Sequence, residues 1–191
     1  NYRHYYNVLR VAESKAFSTP IFHGELAAFR RNLLEKIGGF PTDIGADDSY
    51  TATKIALMGY RAIIPEDIWV EELVPNEGYF WWRVRRAQHL IQHFTKCIRE
   101  LRLALGKFRK ILATETFLHV INPYLLLVPA ILLIVSVVLA RSLIALALLV
   151  LGTVLLAIKH YRTWITQNLY LIVASVRNLW TKEIIWSKQT K

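Results

Sequence analysis

Cysteine is almost absent from this chain of 191 residues, in which Cys97 is the single cysteine. One cysteine cannot form an intrachain disulfide, and it cannot supply a cysteine cluster for a metal ion. Histidine gives no metal signal either. His89 and His93 have the i, i+4 spacing of a zinc-protease helix but lack the glutamate between them, so we interpret them as one polar helix face. A reducing cytoplasmic environment is compatible with this composition.

Charge is absent from two long stretches near the middle of the chain. Residues 120–140 contain no charged side chain, and after Arg141 a second uncharged run covers residues 142–158. Each run approaches the roughly 17–25 helical residues that a hydrocarbon core requires. One straight helix over both would be about 60 Å long, twice the thickness of that core. Neither run has a polar stripe, which predicts a transmembrane hairpin rather than two buried helices of a soluble bundle.

The net charge of +10 comes largely from clusters that flank the apolar runs. By the positive-inside bias, these clusters place both flanks, and the globular region before them, on the cytoplasmic face of an integral membrane protein. No zinc, helix-turn-helix or aromatic RNA-binding pattern accompanies the charge, so we expect membrane lipids as partners and no nucleic acid. The flanking residues are Lys96, Arg99, Arg102, Lys107, Arg109, Lys110, Lys159, His160 and Arg162.

Polarity divides the chain into four regions. Residues 1–95 have the mixed polarity of a globular segment, and residues 96–117 suit a basic amphipathic helix on anionic headgroups. Residues 118–160 form the transmembrane hairpin, and residues 161–191 form an interfacial or third membrane helix with a basic tail. The chain opens with Asn1 rather than Met, and we expect the natural protein to extend before it.

The first region combines helix and strand signals. Strands and helices that alternate at this spacing predict an α/β or α+β layer arrangement, with only part of a sheet present. Gly and Pro residues mark the ends of several elements. The predicted helices cover residues 5–15, 31–37, 49–58 and 79–95, and the predicted strands cover residues 60–64 and 68–73.

Asp47 and Asp48 carry the most specific chemical signal in the chain. They follow a turn that begins at Gly38 and Gly39, and they stand at the start of a predicted helix. A carboxylate at a helix N-terminus is stabilised as the anion, so it can accept a proton or orient a hydroxyl group. A plain N-cap is the alternative interpretation, because aspartate is among the commonest caps.

The order of these motifs resembles the membrane-bound family 2 glycosyltransferases, which have a GT-A fold. The matching segments are Phe29-Arg30-Arg31, Ile37-Gly38-Gly39-Phe40, Asp47-Asp48 and Gly59-Tyr60-Arg61, followed by a basic helix and membrane segments. In that family a short acidic motif supplies the base toward the acceptor hydroxyl. The resemblance implies that residues 1–95 are the acceptor-side part of a GT-A-like α/β domain, with Asp48 as base and Asp47 as its acidic neighbour.

The resemblance also implies substrate-binding residues. Arg83, Arg85 and Arg86 occupy the helix where processive members carry Gln-x-x-Arg-Trp, and Ala87 replaces the tryptophan, which leaves polymer synthesis open. The arginines could hold a diphosphate through bidentate bonds, or the helix face could be attracted to lipid phosphates. A Gly-containing loop near donor and acceptor would be His23-Gly24-Glu25, although a simple turn fits this segment equally well.

A divalent metal, Mg or Mn, is expected in the complete enzyme, but the Asp-x-Asp motif that would bind it is missing here. The implied function is inverting transfer of a sugar from a nucleotide-sugar donor to a lipid-linked or glycan acceptor close to the membrane. This chain would lack the donor-binding half and would be inactive alone. The alternative is a non-catalytic membrane-anchored protein that binds anionic lipid or a partner through its basic helix.

Overall fold

The computed structural model describes residues 2–68, 70 and 77–181. Within these residues the chain consists of α-helices, one π-helical turn and irregular segments, and it contains no strand. The helices are α1 (Tyr2–Ala16), α2 (Arg31–Lys36), α3 (Asp47–Leu57), α4 (Tyr79–Glu100), α5 (Gly106–Thr116), α6 (Asn122–Ala140), α7 (Leu143–Leu155) and α8 (Lys159–Arg177), with the π-helical turn Phe117–Ile121 between α5 and α6.

The predicted α/β class is wrong, because the described part of the chain is helical and has no sheet. Residues 60–64 are irregular rather than a strand. Ala62 shows the reason: its N–H donates to Ser18 Oγ at 3.0 Å, and its carbonyl accepts a single bond from the N–H of Thr19 at 3.1 Å. Its backbone groups are therefore paired without the ladder of bonds that a neighbouring strand provides. Residues 68–73, the second predicted strand, lie mostly outside the described residues.

The four helices predicted in the first region are confirmed as α1 to α4. Apolar residues recurring at helical spacing gave this signal. The predicted helix over residues 79–95 continues to Glu100, because the apolar face of α4 runs on to Cys97, which is fully buried. Phe94 of the same face packs with Phe108 and Leu112 of α5 in the main core, and each of these side chains is at most 2% exposed.

The predicted transmembrane hairpin remains a prediction, and the described residues contain one helix that could span a membrane by its own length and composition. Gly106–Ala140 forms one helix of 35 residues that is long and apolar enough to cross a membrane, and only 6% of its most apolar window is buried. A core helix of a soluble protein would be mostly buried. Helix α7 has 13 residues, about 20 Å at 1.5 Å per residue, which is less than a hydrocarbon core. It passes the same test only together with α8, from which it is bent by 105°.

Helix α8 lies against α4 and joins the apolar helices to the first region. Leu171 and Ala174 of α8 pack with Val84, Ala87 and Ile91 of α4 in a second buried cluster. The two alanines have small side chains, which allow helices to approach closely. Helix α8 also contacts α6, where the side-chain amide of Asn122 donates to Asn168 Oδ1 at 2.9 Å.

A buried ion group ties α1 to α5. The guanidinium of Arg10, 1% exposed, lies 2.7 Å from a carboxylate oxygen of Glu13 and 3.0 Å from one of Glu115. The hydroxyl of Thr19 donates to Glu13 at 2.7 Å. Buried charges persist when they are paired and hydrogen-bonded in this way, so this group fixes the first helix of the chain against the start of the long apolar helix.

Candidate active site

A cavity of about 670 Å³ opens between the loop before α3, helix α4 and helix α8. Its size is within the range of roughly 300–1,000 Å³ that small-molecule sites occupy. Four parts of the chain form most of its walls: the segment around residues 21–29, the start of α3, and facing residues of α4 and of α8. The residues that line it include Tyr6, Phe22, His23, Gly24, Glu25, Phe29, Phe40, Gly45, Asp47, Asp48, Ser49, Trp82, Arg83, Arg86, His89, His119, Gln167, Tyr170 and Leu171.

Asp48 presents its carboxylate to this cavity from the first turn of α3. The N-cap is Ala46, which makes no side-chain capping bond, so neither aspartate is the N-cap that the alternative interpretation proposed. The pKa of Asp48 is raised to about 6, chiefly by burial and also by the charges of Asp47 and Glu25, against hydrogen bonds from Ser49 that lower it. Desolvation therefore outweighs the stabilisation of an anion expected at a helix N-terminus.

Ser49 fixes the neighbouring loop to the start of α3. Its backbone N–H donates to Asp48 Oδ1 at 2.6 Å, while its hydroxyl accepts from the N–H of Phe22 at 3.0 Å and donates to the Phe22 carbonyl at 3.2 Å. Gly24 consequently lies against the carboxylate: a Cβ at Gly24 would be 3.4 Å from Asp48 Oδ2. The predicted His23-Gly24-Glu25 loop and the acidic pair thus belong to the same cavity.

Arg86 of α4 forms an ion pair with Glu25 of this loop. The guanidinium of Arg86 lies 3.4 Å from Glu25 Oε1 and 5.0 Å from the ring centre of Trp82. His23 Nδ1 lies 4.0 Å from Glu25 Oε2, and the His23 ring contacts Tyr6 edge to face. The cavity therefore offers a cation that is already partnered by a carboxylate and an aromatic face.

The other two predicted arginines of α4 have different surroundings. Arg83 lines the cavity, where it donates to Gln167 and lies 5.5 Å from the ring centre of Tyr170. Arg85 is 5% exposed and lies away from the cavity wall. This difference follows from helix geometry, because adjacent residues of a helix point about 100° apart.

Several lining residues escaped the sequence interpretation. Gln167, Tyr170 and Leu171 form the wall contributed by α8, and His119 reaches the cavity from the π-helical turn. The sequence did carry one indication of this wall, because the polar residues Gln167 and Asn168 interrupt an apolar stretch. Phe22, Phe29 and Phe40 form a chain of ring contacts with centres 5.8 and 5.7 Å apart, and nothing in the local sequence brings these three rings together.

A divalent metal finds no ligand set within the described ranges 2–68, 70 and 77–181. They contain no group of three histidine, cysteine, aspartate or glutamate side chains placed to hold an ion. His89 and His93 do not converge on one site either, because His93 is completely buried beside Cys97 whereas His89 lines the cavity. The residues present therefore do not fit a divalent metal by themselves.

Both a protein-family model and a solved structure match this chain. A family model described as glycosyl transferase family 21 matches residues 7–190. Among solved structures, the chain is similar to the mannosyltransferase PcManGT from Pyrobaculum calidifontis in complex with GDP-Man and Mn2+, with 58% sequence identity and a TM-score of 0.85. That match covers 95% of this chain and 52% of the other, so this chain spans about half the length of that protein. No curated protein matches.

These matches confirm the coarser prediction of a glycosyltransferase, but they do not point to family 2 or a GT-A fold. The matched region begins at residue 7 and ends at residue 190, so it includes every cavity residue except Tyr6, among them Asp47 and Asp48, and the arginines of α4. Because the family model covers nearly the entire sequence, the chain belongs to glycosyl transferase family 21.

Proposed function

We propose that this chain forms the acceptor-side part of a membrane-associated glycosyltransferase, in which Asp48 is the base. The observation that carries the proposal is a carboxylate with a pKa raised to about 6 inside a cavity of about 670 Å³. A base is most effective when its pKa lies near the working pH, because it is then ionised and still accepts a proton readily.

The two carboxylate oxygens of Asp48 have separate roles in this proposal. Oδ1 accepts the N–H of Ser49, which fixes the rotation of the side chain. Oδ2, on the side of Gly24, takes the proton of the acceptor hydroxyl. The acceptor oxygen then bonds to the anomeric carbon of the sugar while the bond from that carbon to the diphosphate breaks. The configuration inverts, because a single displacement occurs without an enzyme nucleophile.

Positive charge for phosphate groups comes from α4. Arg86 and Arg83 line the cavity, and guanidinium groups bind phosphate oxygens in bidentate fashion. Arg86 exchanges its contact with Glu25 for a substrate phosphate, and the Glu25 and His23 side chains hold the loop that borders the reacting atoms. Arg85 supports this helix from its buried face.

The donor is a nucleotide sugar, and GDP-mannose is the first candidate because PcManGT is described in complex with GDP-Man and Mn2+. A divalent metal belongs to the complete enzyme, where it would neutralise charge on the diphosphate. The described residues offer no set of ligands for it. The donor-binding part would lie in the portion of the protein that this chain does not include.

The acceptor is a lipid-linked or membrane-proximal hydroxyl. Two cavity walls support this: α8, which packs on α6, and His119, which lies within the apolar helix Gly106–Ala140. An acceptor held in the bilayer can thus reach Asp48 from the membrane side. We place the catalytic region on the cytoplasmic face of the membrane, since exposed basic residues lie in the first turns of that helix, among them Arg109 and Lys110.

The experiment measures sugar transfer into membrane lipid by the full-length natural protein, with radiolabelled nucleotide sugars that include GDP-mannose. Asp48→Asn is compared with Asp43→Asn, whose exposed carboxylate pairs with Lys96 outside the cavity. We expect Asp48→Asn to lower transfer by roughly 10²–10⁴-fold, the usual contribution of a positioned base, and Asp43→Asn to retain it. Undiminished transfer by Asp48→Asn would refute the role of Asp48.

The non-catalytic alternative makes the opposite prediction. A protein that only binds anionic lipid or a partner would show no transfer with any donor, and Asp48→Asn would leave vesicle binding unchanged. The family assignment favours the enzyme. Sugar transfer and membrane binding can both be measured for the same two variants on vesicles that contain anionic lipid. Binding without transfer by any variant would support the non-catalytic protein.

A further inference from the structure

The loop that precedes Asp48 is held by two side chains of α4. The N–H of Gly45 donates to Gln92 Oε1 at 3.3 Å. The ring of His89 fills the space beside Gly45, where a Cβ would lie only 2.7 Å from His89 Cγ. His89 and Gln92 are three residues apart, so both project from the same face of α4. The position of the Asp48 loop is therefore set by α4.

The second end of the Gln92 side chain contacts the end of α8. Gln92 Nε2 donates to Oδ1 of Asn178, the C-cap residue of α8, at 3.0 Å. Gln88 Nε2 donates to the same oxygen at 3.3 Å and to the carbonyl of Thr181 at 3.0 Å. Gln88 thus fixes the end of α8 to α4, whereas Gln92 also connects that end to the Gly45 backbone.

Helix α8 has two further contacts that matter for the site. Tyr170 and Leu171 form part of the cavity wall. Asn168, 3% exposed, accepts the bond from Asn122 of α6. One helix therefore contacts the apolar helix, forms the wall on the acceptor side and, through Gln92, supports the loop that precedes Asp48.

We propose that Gln92 is a positioning residue for glycosyl transfer. It holds the loop that precedes Asp48, here called the Asp48 loop, to the end of α8, so that the Asp48 carboxylate is correctly placed when α8 packs on α4. The proposal rests on the proposed role of Asp48. Gln92 is suited to this task because its amide has an acceptor for Gly45 and a donor for Asn178, which a carboxylate or a hydrocarbon side chain cannot combine.

Loosening of the Asp48 loop should change the pH dependence of the transfer rate, which a general loss of folded protein would not do. Water that reaches Asp48 removes the burial that raises its pKa, so the pKa falls toward the ordinary value. The acid limb of the rate profile would then move to lower pH while the maximal rate decreases. A variant that merely lowers the folded fraction reduces the rate without moving this limb. The other titratable or charged groups that line the cavity around Asp48 are Tyr6, His23, Glu25, Asp47, Arg83, Arg86, His89, His119 and Tyr170.

The experiment uses the full-length natural protein in membranes, with Gln92→Leu as the variant and Gln88→Leu as the matched control on the same helix. We expect Gln92→Leu to lower kcat by roughly 10–100-fold, because misplacement of a reacting group by about 1 Å costs up to that factor. The KM for the donor should stay within about threefold of the wild type, because Gln92→Leu leaves the contacts that bind the donor before reaction unchanged. The acid limb should move to lower pH in Gln92→Leu and remain in place in Gln88→Leu.

Variants at Asn178 provide an independent arm. Asn178→Asp keeps the acceptor oxygen for Gln92, although it loses the bond that Asn178 Nδ2 donates to the Gln88 carbonyl at 3.4 Å, so it should preserve the acid limb, whereas Asn178→Leu should reproduce the effect of Gln92→Leu. An unmoved acid limb in both Gln92→Leu and Asn178→Leu overturns the proposal. This failure is distinguishable from failure of the proposed function, because the latter appears as undiminished transfer by Asp48→Asn.

Discussion

The guanidinium of Arg86 lies 3.4 Å from a carboxylate oxygen of Glu25, and both side chains are about one-quarter exposed at the cavity. Glu25 also raises the pKa of Asp48 through its charge. A single carboxylate thus offsets the cation proposed to bind phosphate and favours the protonated form of the proposed base. The ion pair is released when Arg86 turns to a phosphate group, whereas the charge of Glu25 continues to raise the pKa of Asp48.

Glu25→Gln tests this relationship. Removal of the charge should move the acid limb of kcat to lower pH, because Asp48 then loses one of the groups that raise its pKa. It should also lower the KM for a phosphate-containing substrate by up to about fivefold, since a partly exposed ion pair contributes roughly 0–1 kcal/mol. Steady-state kinetics between about pH 5 and pH 8 measure both quantities.

Glu35→Gln is the matched control, because Glu35 forms an exposed pair with Arg31 outside the cavity. Its pH profile and KM should match those of the wild type. An acid limb that moves to higher pH in Glu25→Gln would contradict the assigned electrostatics.

Asp48→Asn should stabilise the fold at neutral and basic pH. The pKa of Asp48 is raised to about 6 in the folded protein from an ordinary value of 3.8, so the folded state binds more protons than the unfolded state between these values. Stability is therefore lost as pH rises through this window, by up to about 3 kcal/mol at 1.36 kcal/mol per pKa unit. Asparagine avoids this loss, and thermal unfolding in detergent at about pH 4.5 and pH 8 should show a larger gain at pH 8.

Asp43→Asn provides the opposite case. The neighbouring Lys96 lowers the pKa of Asp43, so its ionised form is favoured in the folded protein and asparagine should bring no gain at either pH. A melting temperature of Asp48→Asn that is unchanged or lower at pH 8 would show that Asp48 is not desolvated.

Local signals in the sequence located the acidic pair and the helices of the first region. Asp47 and Asp48 stand out because they follow a glycine turn and begin an amphipathic stretch, and both properties are encoded within about a dozen residues. The α8 wall could not be found in this way. Arg83 and Gln167 are 84 residues apart, and their contact depends on how α8 packs on α4. The predicted strand at residues 60–64 failed because an apolar run of this length fits an extended segment equally well, and pairing decides which forms.

Arg10→Leu should destabilise the protein severely. The arginine is 1% exposed and pairs with Glu13 and Glu115, so leucine would leave two buried carboxylates without their cation. Removing one partner of a buried ion group costs about 3–5 kcal/mol. Arg31→Leu is the control: its pair with Glu35 is largely exposed, and its loss should cost less than about 1 kcal/mol. Denaturant unfolding of the full-length protein in detergent compares the two variants.

Gly45→Ala should disturb the Asp48 loop through a clash with His89. A Cβ at residue 45 would lie 2.7 Å from His89 Cγ, and His89 is only 4% exposed, so neither side has room to move. Overpacking of this kind costs about 1–3 kcal/mol. We expect the variant to lose both stability and transfer activity. His89→Ala removes the ring, and the double variant should recover most of the stability lost by Gly45→Ala, which a double-mutant cycle measures directly. If the two losses were simply additive, Gly45 would be required for a reason other than the His89 ring, and α4 would not set the position of the loop through this contact.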